Sequence, residues 1–283
     1  MRITVRHETR YRYTKEVGFG RHRLVLRPRE GHDLALLEQR LIIQPEHVVS
    51  WQRDVHDNVI AYVDFEAPSA VLTFINEFVV RRVPAFPSVD APALTWPVEY
   101  DEREAALVTA YREPNFPEDA AAVGAWLTTV APASVLDLCA TIHDSISYRR
   151  RMERGVQTPA QTLELASGSC RDLATLLMEA ARRLGIAARF ASGYFHCNAS
   201  IAGRASTHAW AEVYLPGIGW QGLDPTLGSV TDLRHIVVGV SHHPRGVMPV
   251  SGTFTGSHAD LLEHSVAVTT SDEDAEAPVS NRS

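Results

Sequence analysis

Cys170 is the residue in this sequence best placed for nucleophilic chemistry. It follows Ala166-Ser167-Gly168-Ser169 and opens an apolar helical stripe, Leu173, Leu176, Leu177, Ala180 and Leu184, with Gly185 where a C-terminal cap belongs. A thiol at a helix N-terminus faces unpaired backbone N–H groups and the positive end of the dipole, both of which favour the nucleophilic thiolate. The same N–H groups can hold a developing oxyanion. A buried structural thiol is the bland alternative, and the polar flank Gly168-Ser169-Cys170-Arg171-Asp172 argues against it. Cys139 lies on an apolar helical stripe and reads as packing. Cys197, in His196-Cys197-Asn198, has no helix start and is a poor second nucleophile. Three scattered cysteines form no disulfide framework and have no paired metal spacing.

A thiol nucleophile needs a base, and Thr207-His208-Ala209-Trp210-Ala211-Glu212-Val213-Tyr214-Leu215 supplies one on a strand. Ala209, Ala211, Val213 and Leu215 suit a core, which puts His208, Trp210, Glu212 and Tyr214 on the other face. The Pro216-Gly217-Ile218-Gly219 turn folds the chain back towards Asp224, which Pro225 holds at a strand tip. A carboxylate accepting an imidazole N–H would hold the tautomer and stabilise imidazolium. With a three-residue loop, Leu215 faces Gly219 and Asp224 falls opposite Trp210, on the face of His208. A four-residue loop would set Asp224 opposite Ala211, on the wrong face, and leave Glu212 as the carboxylate to test.

Other residues carry weaker signals. Asp172 is expected to tie down the Cys170 loop from the first turn of its helix. Tyr148 reads first as packing and second as a cleft residue or oxyanion donor. Trp210 and Trp220 read as cleft-wall or core aromatics. His242 and His243 have no further ligand at metal spacing and read as a solvated loop, so no metal is expected. Neither a Gly-rich phosphate loop nor an EF-hand pattern occurs, and no cofactor is expected.

These residues need a scaffold, and 283 residues of 45% apolar content suffice for two cored domains. Residues 1–84 alternate between Pro, Gly and Asp breaks, with strands expected at Leu36 to Ile43, Val59 to Phe65 and Val71 to Val83. They predict an N-terminal β domain. Pro84, Pro87, Pro92 and Pro97 mark a linker over 85–97. Residues 98–269 turn helical at Glu102 to Tyr111, Glu118 to Val130 and Ser134 to Ser147, and carry the Cys170, His208 and Asp224 segments on strands and a helix. Residues 270–283 are polar and acidic and read as a disordered tail. The net charge of −7 argues against partners that need phosphate neutralisation, so neither nucleic acid nor an anionic membrane surface is expected. Apolar runs are far shorter than the roughly 18 residues of a membrane span. The N-terminal residues carry no apolar secretory segment, and a cytoplasmic location is expected.

Gly168-Ser169-Cys170-Arg171-Asp172, His208 through Tyr214, and Gly219-Trp220 through Asp224-Pro225-Thr226 resemble the three core motifs of the transglutaminase-like superfamily, in its Cys, His, Asp order. Tyr11-Arg12-Tyr13 and Leu24-Val25-Leu26-Arg27-Pro28-Arg29 resemble the β domain that precedes the core in bacterial members. The likeness spans nearly the whole chain and implies an α+β fold, a papain-like core of helices on an antiparallel sheet behind a β-sandwich-like domain. It also implies Cys170 as nucleophile, His208 as general base and acid, and Asp224 as orienter. The chain departs from many relatives near Val247, where they carry an Asp, which bears on the substrate rim. The expected activity is acyl transfer on peptide or protein amides through a Cys170 thioester, with water as acceptor. Crosslinking to an amine and an idle peptide-binding module are the alternatives.

Overall fold

The computed structural model describes residues 1–84, 98–151, 153–196 and 206–272; the predicted linker, Cys197 and residues 273–283 lie outside them. In the N-terminal region, alternation builds β1 (Arg2–Val17), β2 (His22–Leu24), β3 (Leu34–Gln44), β4 (His47–Arg53), β5 (Val59–Phe65) and β6 (Ser69–Arg82). Beyond it come α1 (Glu102–Arg112), α2 (Ala120–Val130), α3 (Val135–Ser145), β7 (Ser147–Tyr148), α4 (Pro159–Leu165), β8 (Ser167–Gly168) and α5 (Cys170–Arg183). The strands β9 (Ala188–Phe195), β10 (Ser206–Leu215), β11 (Gly219–Asp224), β12 (Ser229–Val230), β13 (His235–Ser241), β14 (Val250–Ser251) and β15 (Leu261–Asp272) complete the fold. Among the described residues no single helix is long and apolar enough to cross a membrane.

The fold is α+β. An antiparallel central sheet ordered β12-β11-β10-β9-β13 carries α5 on one face, where Ala209, Ala211, Val213 and Leu215 meet Leu173, Leu176, Leu177 and Ala180 in one core. Helix α5 is buried almost all round because α2, α3 and α4 cover it from the other side. It ends as predicted, with Gly185 at φ +85°, a conformation that favours glycine. The Cys170 helix is therefore central, and its N-terminus is held by packing along its length.

On the opposite face of the central sheet sits a β sandwich of two sheets, β15-β1-β6-β3 and β14-β2-β5-β4. Ile3, Val5, Leu34, Phe78 and Val80 pack with Tyr194, Ile236 and Val238, so sandwich and central sheet share one apolar interface. Asn58 crosses it, donating to the Val240 carbonyl at 2.7 Å and accepting the Val240 N–H at 2.8 Å. The expectation that 261–269 belongs to the catalytic core is corrected here, because β15 pairs along β1, from Ile3 with Asp272 to Tyr13 with Leu261. It also runs through Asp272, so strand replaces the expected tail at 270–272. A strand pattern states that an edge wants a partner; it does not state which edge.

Candidate active site

Leu215 pairs with Gly219 and Ala211 with Leu223, the three-residue-loop register, and Asp224 continues it to the level of Trp210. His208 Nε2 lies 2.7 Å from Asp224 Oδ2. Asp224 is fully buried, and its other oxygen, Oδ1, accepts the Thr226 N–H at 2.8 Å. With Nε2 taken, Nδ1 is the ring nitrogen left for a further partner. Cys170 lines the same cavity of about 440 Å³ as His208 and is partly exposed there. Burial pulls the His208 pKa down, but Asp224 and Cys170 outweigh it and lift it to about 10. Burial would raise Asp224, and the histidines His208 and His235 hold it well below the usual carboxylate range instead. Cys170, His208 and Asp224, far apart in the chain, are thus brought together.

The Cys170 loop is built around one carboxylate. Asp172, fully buried at the third position of α5, accepts the Ser169 N–H at 2.8 Å, the Ser169 hydroxyl at 2.6 Å, the Gln157 N–H at 2.7 Å and Arg151 Nη1 at 2.7 Å. Burial works against its charge, and these donors lower its pKa nonetheless. The N–H groups of Asp172 and Leu173 both turn back to the Ser169 carbonyl. Those of Cys170 and Arg171 have no carbonyl one turn back to take them, which leaves two donors at the sulfur's end of the helix. Tyr148 is 55% exposed, not packed; β7 pairs it with Gly168, and the negative field of Cys170 contributes to raising its pKa after burial does.

Two further features escaped sequence reasoning. His235 Nε2 lies 3.1 Å from the same Asp224 Oδ2, and the Asp232 N–H points at His235 Nδ1 from 3.0 Å, as donor to acceptor. Asp224 Oδ2 can only accept, so His235 Nε2 carries a proton towards it, while His235 Nδ1 lies between the Asp232 N–H and, at 3.3 Å, Asp232 Oδ1. Its only sequence signal was the Asp232-x-x-His235 spacing of a tight turn. The second feature is the buried pair of Arg182 and Glu179, 2.7 Å apart. Glu179 accepts the Asn115 and Phe116 N–H groups, and Arg182 donates to the His242 carbonyl at 2.7 Å, so together they pin two loops of the cavity rim. The segment at His242 and His243 is therefore anchored through its backbone while the His242 side chain stays exposed, as expected of a solvated loop, and His243 lines the cavity.

The remaining candidates find structural places. Glu212 pairs with Arg189 at 2.7 Å, and Arg189 lies 3.9 Å over the Trp220 ring. Trp210 is buried with Ala191 and Val240. Cys139 is fully buried, and burial pushes its thiol pKa far up. His208, Asp224 and His235 bring ligand-type atoms within 4.8 Å of one another, but both close contacts run to one oxygen at hydrogen-bond lengths, so protons bridge them. Val247, where the motif likeness departs, is buried in the cavity wall.

Residues 3–81 match the bacterial transglutaminase-like N-terminal region, and residues 120–225 match the transglutaminase-like superfamily core. The uncharacterized protein Rv2569c of Mycobacterium tuberculosis is 30% identical over 97% of this chain and 94% of its own length. The chain belongs to the transglutaminase-like superfamily. The core match takes in Cys170, His208 and Asp224 of this transglutaminase-like chain. The uncharacterized protein ML0607 of Mycobacterium leprae is a second relative, 24% identical over 95% of this chain and 98% of its own. The same fold recurs in a crystal structure from Cytophaga hutchinsonii described as a "Putative Cysteine Protease". It has a TM-score of 0.70 at 15% identity, covering 96% of this chain and 91% of that one.

Proposed function

We propose that this chain is a thiol-dependent acyl-transfer enzyme that hydrolyses amide bonds of peptides or proteins. The observation that carries the proposal is the placement of His208 between Asp224, on Nε2, and Cys170, with its imidazolium strongly favoured. Cys170 gives its proton to His208 Nδ1, and the thiolate attacks the amide carbonyl carbon to form a C–S bond. The N–H groups of Cys170 and Arg171 receive the oxyanion. As the C–N bond breaks, His208 returns its proton to the departing amine, and a thioester remains. Water then attacks the thioester with His208 taking its proton, and acid and free thiol are released. Asp224 keeps the proton on Nε2 so that Nδ1 faces the sulfur throughout.

Hydrolysis is favoured over crosslinking because Cys170 is partly exposed at the cavity, where water has access. The related fold described as a cysteine protease accords with this choice. The test is mass spectrometry after incubation with a peptide library and a primary amine. Cleaved or deamidated peptides, lost entirely with Cys170→Ala, are the expected result. Amine adducts in excess over hydrolysis would make the chain a transamidase, and undiminished turnover by Cys170→Ala would refute the thioester.

A further inference from the structure

Arg154, Arg171 and Arg245 line the cavity at Cys170, and among the described residues no Asp or Glu does. That is a notable lining in a chain of net charge −7. Elsewhere buried and half-buried arginines meet carboxylates, as Arg151 meets Asp172, Arg182 meets Glu179 and Arg189 meets Glu212. Among the described residues no carboxylate pairs with Arg154, Arg171 or Arg245. Arg171 donates from Nη2 to the Glu153 carbonyl, and its Nε is buried without a partner. A second cavity, of about 500 Å³, continues the first across to the β sandwich and shares Arg154, Arg171 and Thr207 with it. Its far wall holds Tyr11, His22 and His264, and Glu153 is its single described carboxylate. Arg154 acts electrostatically on both Tyr11 and His264, which places its charge at the junction. Cations that converge without counter-ions repel one another and raise the local concentration of anions.

We propose that this double cavity selects acyl donors whose scissile amide is flanked by carboxylates, an acidic peptide segment whose anionic groups Arg154, Arg171 and Arg245 receive. The proposal rests on the amidase reading above and adds its substrate class. Phe116, Phe190 and Val247 supply an apolar wall for the aliphatic stems of such residues. Guanidinium groups suit the task because they hold carboxylates through paired N–H donors. The β sandwich then has a purpose, since its Tyr11, His22 and His264 extend the binding surface away from the nucleophile.

The full chain carrying Cys170→Ala is titrated with fluorescein-labelled peptides that share a central Gln and bear Glu, Gln or Lys at the flanking positions. The Glu peptide is expected to bind about tenfold tighter than the Gln peptide, the worth of one charge-assisted contact, and the Lys peptide more weakly than either. The preference should fall to within about twofold in the added Arg154→Gln, Arg245→Gln pair, and in about 1 M salt, where charges are screened within about 3 Å. Equal binding of the three peptides overturns the proposal. So does displacement of the Glu peptide by a single-stranded oligonucleotide at a lower concentration than by unlabelled Glu peptide. Binding is read with the nucleophile removed, so a failed charge preference and a failed amidase assay are separate results.

Discussion

Asparagine at position 224 would test the site at its most constrained atom. Asp224 receives three donors in a fully buried place: His208 Nε2–H and His235 Nε2–H on Oδ2, and the Thr226 N–H on Oδ1. An Asn side chain has one oxygen and one NH2. If its oxygen keeps Thr226, the NH2 faces both histidines and drives the His208 proton to Nδ1, where it blocks uptake from Cys170. If its oxygen turns to the histidines, the NH2 meets the Thr226 N–H. Either way at least one buried donor is unsatisfied, at about 1 to 3 kcal/mol, and the melting temperature should fall by about 2 to 10 °C for a chain of this size. Acylation should slow by about 10³ to 10⁴, in line with the same exchange in a serine-protease triad.

The loss of stability has a pH window. His208 is raised from 6.5 to about 10, so its contribution is full below its unfolded value and fades as pH rises through about 10. Asp224 is lowered, so its contribution is present above the unfolded carboxylate value of about 3.9 and fades as pH falls below it. The difference between wild type and Asp224→Asn should be largest from about pH 4 to 6.5 and shrink towards pH 10. Differential scanning fluorimetry across pH reads the first quantity, and single-turnover acylation or iodoacetamide labelling of Cys170 at pH 6 reads the second. Labelling and acylation within threefold of wild type, with a flat stability difference, would refute the reasoning.

Three further outcomes follow from the same geometry. His235→Ala should lower the acylation rate by about 10- to 100-fold, the worth of one hydrogen bond to a charged group, while His235→Gln, which returns an Nε2–H donor, should recover most of it; equal losses in both would mark His235 as packing alone. Asp172→Ala strips a buried carboxylate from Arg151 and three other donors and should cost about 3 to 5 kcal/mol, read by denaturant titration, with Cys170 labelling slowed; a stable, active variant would show that the loop holds itself. Native-state labelling should modify Cys170 and spare the fully buried Cys139; equal modification of both would contradict the placement of Cys170 at the cavity.

Local physics made part of this protein legible in its sequence. The apolar stripe from Leu173 and the Gly185 stop marked helix α5, and Ser169-Cys170 marked its start. Alternation in Thr207 to Leu215 and the Pro216 turn marked the hairpin and its faces but left two registers open, and the structure selects the three-residue loop that puts Asp224 within reach of His208. Each of these depends on residues close in the chain, where periodicity, caps and turn chemistry act directly. Contacts between distant segments could not be derived that way. Leu261 to Asp272 has a strand pattern whichever edge it joins, and only the open edge of β1 decided its partner. Beyond the Asp232-x-x-His235 spacing of a turn, nothing in the sequence ties His235, one of thirteen histidines, to Asp224 until β13 packs beside β9 and brings the two together. The unpaired arginines at the cavity have the same standing, since an arginine lacks a carboxylate only when the folded surroundings are known. Strand order and side-chain convergence are set by which surfaces bury each other, and that is a property of the whole chain.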